Sequence, residues 1–143
     1  MKIFLDTADT QLIEKHFTTG LIDGITTNPS LILKSGKQPE DVYRQLIELG
    51  IPDISMEVVG NNKQMFDEGM RLYDKFGEQC TVKVPCTPDG LVVCKDLAGE
   101  GIDVNVTLIF SVSQAVLATK AGARYLSPFV GRVDDQRFGG CNL

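Results

Sequence analysis

The stretch Cys80-Thr81-Val82-Lys83-Val84-Pro85-Cys86-Thr87-Pro88 decides how the rest of the chain is read. Its β-branched apolar run predicts a strand over 81–85 that is buried on both faces. Side chains alternate along a strand, so Val82 and Val84 face one way and Lys83 the other. Pro88 then stands at a helix start, where its missing N–H costs nothing. One strand-to-helix unit therefore carries a lysine in its interior. Lysine is rarely fully buried without a partner or a use. Desolvation favours the free amine over the ammonium, and a free amine can attack a carbonyl. A single strand lysine also has a plainer reading, because its long stem can carry the charge out to water.

The same unit repeats in both directions from this stretch. Strands are predicted over 2–5, 24–26, 54–58, 81–85, 103–107 and 124–129. Amphipathic stretches over 10–17, 31–33, 39–49, 62–76, 88–100 and 111–121 predict the helices between and after them. Ser111 is the expected cap of the last of these, with Val112, Ala115 and Val116 on one face. Strands recur about every 20 to 30 residues, the length of a βα unit, which implies a parallel sheet with helices outside it. No low-complexity run or linker interrupts the pattern, so residues 1–143 read as a single domain.

Two architectures fit such a repeat, a closed barrel or an open doubly wound sheet. No GxGxxG or P-loop pattern follows any strand, so a nucleotide-binding open sheet has no support at its usual place. Polar residues instead gather at the C-terminal end of every strand, where a barrel builds its active site. The expected fold is therefore α/β, an eightfold (β/α)8 barrel of the TIM type with about six of its βα units present.

Composition narrows the class of function. Of the 143 residues 43% are hydrophobic and 23% charged, and the formal net charge is −5 with no run of Lys or Arg. This argues against nucleic acid or an anionic membrane as partner. The N-terminal stretch Met1-Lys2-Ile3-Phe4-Leu5-Asp6 meets a charge too early for a secretory leader, and no apolar run is long enough to span a bilayer, so the expected location is cytoplasmic. Cys80, Cys86, Cys94 and Cys141 lack metal-ligand spacing and read as free thiols of a reducing compartment. His16 is the sole histidine and lies on a polar helix stretch, which leaves a Ser-His-Asp or Cys-His hydrolase without its base.

The strand ends supply the candidate site residues. They are Asp6 on the first strand, Thr26, Thr27 and Asn28 on the second, Glu57 on the third and Lys83 on the fourth. The fifth carries Asn105 and Thr107 on one parity against Val104, Val106 and Leu108 on the other, and the sixth carries Ser127. Inward polar groups beside an inward lysine are costly unless they are paired or used. An amine among carboxylates, amides and hydroxyls suits covalent catalysis with proton transfer. Each residue has a structural alternative: helix entry for Asp6, a turn for Asn28, an ion pair with Lys83 for Glu57, an ordinary strand residue for Thr107 and a surface cation for Arg132. Six such coincidences at six consecutive strand ends favour a built site.

The segments Phe4-Leu5-Asp6-Thr7-Ala8, Gly24-Ile25-Thr26-Thr27-Asn28-Pro29-Ser30, Val82-Lys83-Val84-Pro85, Asn105-Val106-Thr107-Leu108-Ile109-Phe110-Ser111 and Ser127-Pro128-Phe129-Val130-Gly131-Arg132 occur in this order. Together they make the chain resemble the transaldolase family, in particular the short subfamily that includes the fructose 6-phosphate aldolases. The resemblance implies a class I Schiff-base enzyme of the pentose phosphate pathway that needs no metal or organic cofactor. It implies Lys83 as the imine-forming amine, Asp6 as acid and base, and Glu57 and Thr107 as holders of a proton-shuttling water. Thr26, Asn28, Asn105 and Ser127 would line the pocket for the three-carbon unit. Arg132 would bind the sugar phosphate, for which a guanidinium fork is well shaped. The aldolases carry Tyr at the position of Phe129 and Gln at that of Glu57, so this chain has the transaldolase pair.

One departure stands out. A complete barrel has eight strands and about 200 residues or more. The sequence ends at Gly139-Gly140-Cys141-Asn142-Leu143, just beyond the sixth strand. This predicts a chain lacking the last two βα units, whose open edges a homo-oligomer would cover. The alternatives to a transaldolase are a fructose 6-phosphate aldolase and a truncated fragment without catalytic activity.

Overall fold

All six predicted strands form, each followed by helix, in the computed structural model of the chain, which describes residues 1–135. The order is β1(Phe4–Asp6), α1(Thr10–Phe17), β2(Gly24–Thr26), α2(Pro29–Ser35), α3(Pro39–Glu48), β3(Ile54–Glu57), α4(Asn62–Phe76), β4(Cys80–Pro85), α5(Pro88–Gly99), β5(Val104–Ile109), α6(Val112–Lys120), β6(Tyr125–Pro128) and α7(Val130–Asp135). The residues fall into two compact units, Met1–Glu57 with Arg71–Thr81, and Val58–Met70 with Val82 onward. Strand order follows chain order in both, β1-β2-β3 in the first and β4-β5-β6 in the second. The pairings within each unit are parallel. A doubly wound sheet would reverse its order at a switch point, and neither unit does. The fold is α/β of the TIM-barrel type, with six βα units.

In the first unit Leu5 pairs with Ile25, and Ile25 with Ile54, so apolar residues stack across the three strands. Ile13 of α1 and Val42 and Leu46 of α3 are fully buried, as are Ile25, Ile51 and Ile54. The carboxylate of Asp9 caps α1 by accepting from Gln11 N and Leu12 N, both at 3.1 Å. Tyr43 meets Phe76 edge to face with centroids 5.9 Å apart. Asp53 is buried, and its Oδ1 accepts from Thr81 Oγ1 at 2.7 Å. A buried polar pair of this kind offsets its own desolvation only because the bond is made.

The second unit places Val82, Val84, Val104 and Val106 in the core with Val93, Cys94 and Leu97 of α5. Thr87 caps α5, its Oγ1 accepting from Gly90 N at 3.1 Å. Gly90 is obligatory for a different reason: a Cβ there would stand 1.9 Å from the Pro85 carbonyl oxygen. The backbone of α5 therefore rests directly against the end of β4.

Three expectations about local structure change. The first strand begins at Phe4 instead of Lys2, because Ile3 N bonds to the Asp23 carboxylate at 2.6 Å before the ladder starts. The fifth strand continues past Thr107 to Ile109, where Phe129 N donates to Ile109 O at 3.0 Å. Ser111 caps α6 as expected, its Oγ accepting from Gln114 N at 3.2 Å. The Val112 and Val116 stripe, however, lies open to solvent at 66% and 60% exposure, and α6 buries Ala118.

Candidate functional site

In the second unit the register puts four predicted residues on one face of the sheet. Lys83 pairs with Asn105, and Thr107 pairs with Ser127. Directly paired residues point the same way, and steps of two preserve the face. Lys83 is 4% exposed, Asn105 2% and Thr107 1%. Ser127 Oγ donates to Asn105 Oδ1 at 2.8 Å, which fixes the amide so that its NH2 is a donor on the other side. Thr107 Oγ1 is buried and, among the described residues, has no hydrogen-bond partner. A buried hydroxyl left so is costly and marks a place where a ligand or water could bond.

The backbone beside Thr107 is strained. Leu108 has φ 60, the one non-glycine residue with positive φ among those described. The left-handed region costs a residue with a Cβ roughly 1–2 kcal/mol, and Leu lacks the short polar side chain that softens this for Asn. The register shifts at the same point, with Thr107 opposite Ser127 and Ile109 opposite Pro128. One extra residue on β5 is a β-bulge.

In the first unit Asp6 pairs with Thr26, and Thr26 with Ser55. Thr26 Oγ1 donates to Asp6 Oδ1 at 2.8 Å. Since Asp9 caps α1, Asp6 is not the helix-entry residue, and its carboxylate stays at the strand end. Glu57 lies two residues beyond Ser55 and shares its face. Asn28 has extended backbone before Pro29, and its Oδ1 caps α2 by accepting from Leu31 N at 2.9 Å. The capping bond uses the oxygen of the amide and not its NH2.

The family model for transaldolase/fructose-6-phosphate aldolase matches residues 3–137. The chain belongs to this family. A "Probable transaldolase" of Nitrosopumilus maritimus is 53% identical over 144 aligned positions, covering 100% of this chain and 64% of that protein. One of Anaeromyxobacter sp. is 54% identical, covering 94% of this chain and 62% of its own length. The chain thus spans a little under two thirds of these transaldolase relatives. Among solved structures, the carboxyl transferase domain of Rhizobium etli pyruvate carboxylase superposes with a TM-score of 0.59 at 13% identity, covering 97% of this chain and 31% of that one. At such identity the likeness concerns the fold alone.

Phe129 and Arg132, the other two predicted site residues, lie near the end of the described residues. Phe129 meets Phe110 edge to face, with centroids 5.6 Å apart. Arg132 is exposed on α7, and its guanidinium stands over the Phe129 ring at 5.7 Å from the centroid. Cys80, Cys86 and Cys94 are free thiols, and Cys141 lies outside the described residues. Burial pushes the thiol of Cys80 up to about 12 and that of Cys94 up to about 11. His16 is exposed on α1. Among the described residues no helix is long and apolar enough to cross a membrane.

Sequence reasoning missed Ser55 and Tyr125 on these faces, and the bulge at Leu108 beside them. Ser55 is fully buried and shares the face of Asp6, Thr26 and Glu57. Tyr125 pairs with Asn105 and so joins the Lys83 face. Parallel pairing alone, once the strands are aligned, could have found both. Leu108 itself carried no signal, because it continues the alternation that begins at Val104; the pattern breaks one residue later, at Ile109, which is apolar where a polar residue was due.

Proposed function

We propose that the chain carries the Schiff-base site of a transaldolase, with Lys83 as its nucleophile. The observation that carries this reading is a lysine 4% exposed on the same strand face as Asn105, Thr107 and Ser127. The amine adds to the C2 carbonyl of a ketose phosphate, fructose 6-phosphate or sedoheptulose 7-phosphate, and water leaves as the imine forms. Asp6 takes the C4 hydroxyl proton as the C3–C4 bond breaks, and the bonding electrons pass into the imine to give an enamine. The aldose phosphate departs. The enamine then attacks the aldehyde of an acceptor aldose phosphate, Asp6 returns its proton, and hydrolysis frees Lys83.

The other residues hold and orient. Glu57 and Thr107 keep the water that moves protons during imine formation and hydrolysis. Asn28 and Asn105 bind hydroxyls of the three-carbon unit, Thr26, Ser127 and Phe129 line the pocket, and Arg132 binds the phosphate. Phe129 has no phenol to donate a proton, which supports transfer to a second sugar over release of free dihydroxyacetone.

The test is product formation from fructose 6-phosphate with and without an acceptor aldose phosphate, for the wild type, Lys83→Met and Asp6→Asn. Activity that requires the acceptor and vanishes in Lys83→Met supports the reading. Free dihydroxyacetone without acceptor would assign the aldolase reaction instead. Inactive, folded wild-type chain would leave the transaldolase activity to its longer relatives.

A further inference from the structure

We propose that Leu108 is a positioning residue: its left-handed backbone ends the regular ladder of β5 just past Thr107 and so holds the buried Thr107 hydroxyl out of the protein's own hydrogen bonds, for a water or substrate hydroxyl to engage. What that hydroxyl meets rests on the Schiff-base reading above. The bulge is what sets its place.

Three observations converge on this. Leu108 takes φ 60 although the residue is 37% exposed, so it is not a fully buried side chain that holds the strained backbone in place. Strained residues of this kind persist where the surrounding structure holds them, and they concentrate at functional sites. The register shift falls between Thr107 and Ile109, one residue after the buried, unpartnered Oγ1. The pairing also shows what the extra residue achieves. Pro128 directly follows Ser127 and faces the other way, so Ile109, its partner, lies on the face opposite Thr107. In an unbulged strand Ile109 would share the face of Thr107 and set an apolar side chain beside it. The bulge removes Ile109 from the polar face and gives it to the core, where it is 1% exposed. Bulges re-aim side chains in this way beside active sites.

The test is a series ranked by tolerance of left-handed backbone. Gly and Asn accept that conformation, Leu accepts it at a cost, and β-branched Val resists it most. A side chain that merely filled space would rank the opposite way, with Val nearest to Leu and Gly furthest. The readouts are the rate of borohydride-trapped Lys83 adduct from fructose 6-phosphate and crystal structures of wild type and Leu108→Val. Leu108→Gly and Leu108→Asn should trap within about twofold of wild type, and Leu108→Val about tenfold or more slower, as displaced catalytic geometry costs. In the Thr107→Val background Leu108→Val should add no further loss, since the two act through one hydroxyl. In the crystal, Leu108→Val should lose the bulge and shift Thr107 or pair its hydroxyl. Rates that follow apolar size, or a Leu108→Val structure with Thr107 unmoved and unpartnered, would overturn the proposal. Should the wild type form no adduct, the Schiff-base reading falls, while the two structures still decide whether Leu108 positions Thr107.

Discussion

Ser127 Oγ donates to Asn105 Oδ1 at 2.8 Å, joining β6 to β5 on the face that also carries Lys83. An unrestrained amide could present oxygen or nitrogen to a substrate with equal ease. With the oxygen engaged, Asn105 presents a donor. Ser127→Ala should therefore raise KM for the ketose while costing only about 1 kcal/mol of stability, the usual worth of one such bond. Urea unfolding beside steady-state kinetics checks this. An unchanged KM would show that the bond serves structure alone.

Gly90→Ala tests how closely α5 rests on the end of β4. The new Cβ would lie 1.9 Å from the Pro85 carbonyl oxygen, which is backbone and cannot swing aside. Overpacking of this kind costs about 1–3 kcal/mol, and each kcal/mol lowers Tm by roughly 2–4 °C in a domain of this size. Because Pro85 pairs with Thr107, trapping at Lys83 should slow as well. Calorimetry showing no loss would mean that the helix can move away freely.

Much of this was legible in the sequence, for physical reasons. A strand buried on both faces needs a continuous apolar run, and that made β4 and its interior lysine visible. Pro88 and Ser111 declared helix starts because Pro and a capping hydroxyl have few other uses there. The bulge left only a faint mark, since Val104 to Leu108 alternates as any regular strand does and only Ile109, apolar where a polar residue was due, breaks the pattern. Nothing about leucine announces a left-handed residue. Ser55 was lost between Ile54 and Met56, where a small hydroxyl reads as neutral. The Val112 and Val116 stripe looked like a core face, but periodicity identifies a face and not what packs against it.

The cysteines give a prediction in pH. Burial raises Cys80 to about 12 and Cys94 to about 11 from an ordinary 9.0, and it raises Cys86 as well. A group with raised folded pKa contributes stability that is complete below the unfolded value and lost as pH climbs toward the folded one. The urea midpoint should thus fall from about pH 9 upward, as thiolates form in the unfolded chain first. In a Cys141→Ser background, a thiol reagent near pH 8 should label Cys86 in the native state and reach Cys80 and Cys94 only on unfolding, reactivity following exposure as well as ionisation. Peptide mapping after brief labelling would show it. Equal labelling of all three would contradict their burial.

Acid should loosen one surface cluster in the first unit. Glu40 on α3 bonds to Lys75 and, at 2.7 Å, to Arg71, both on α4. The Lys75 bond chiefly, then that of Arg71, holds the carboxyl below its ordinary 4.5. Its contribution is present above that ordinary value and lost as pH falls through the lowered one. The side chain is 35% exposed, so solvent screening limits the worth to under about 1 kcal/mol. Glu40→Gln should lower the urea midpoint slightly at neutral pH and match wild type in acid. A gap that persists in acid would point to packing instead of charge.

The central claim is that Lys83 is the amine that bonds to substrate. Borohydride reduction with fructose 6-phosphate, followed by intact mass and peptide mapping, tests it most directly. The account predicts one reduced sugar adduct, confined to the peptide containing Lys83, absent from Lys83→Met and retained in Asp6→Asn. An adduct on another lysine, or none on the folded wild-type chain, would contradict it.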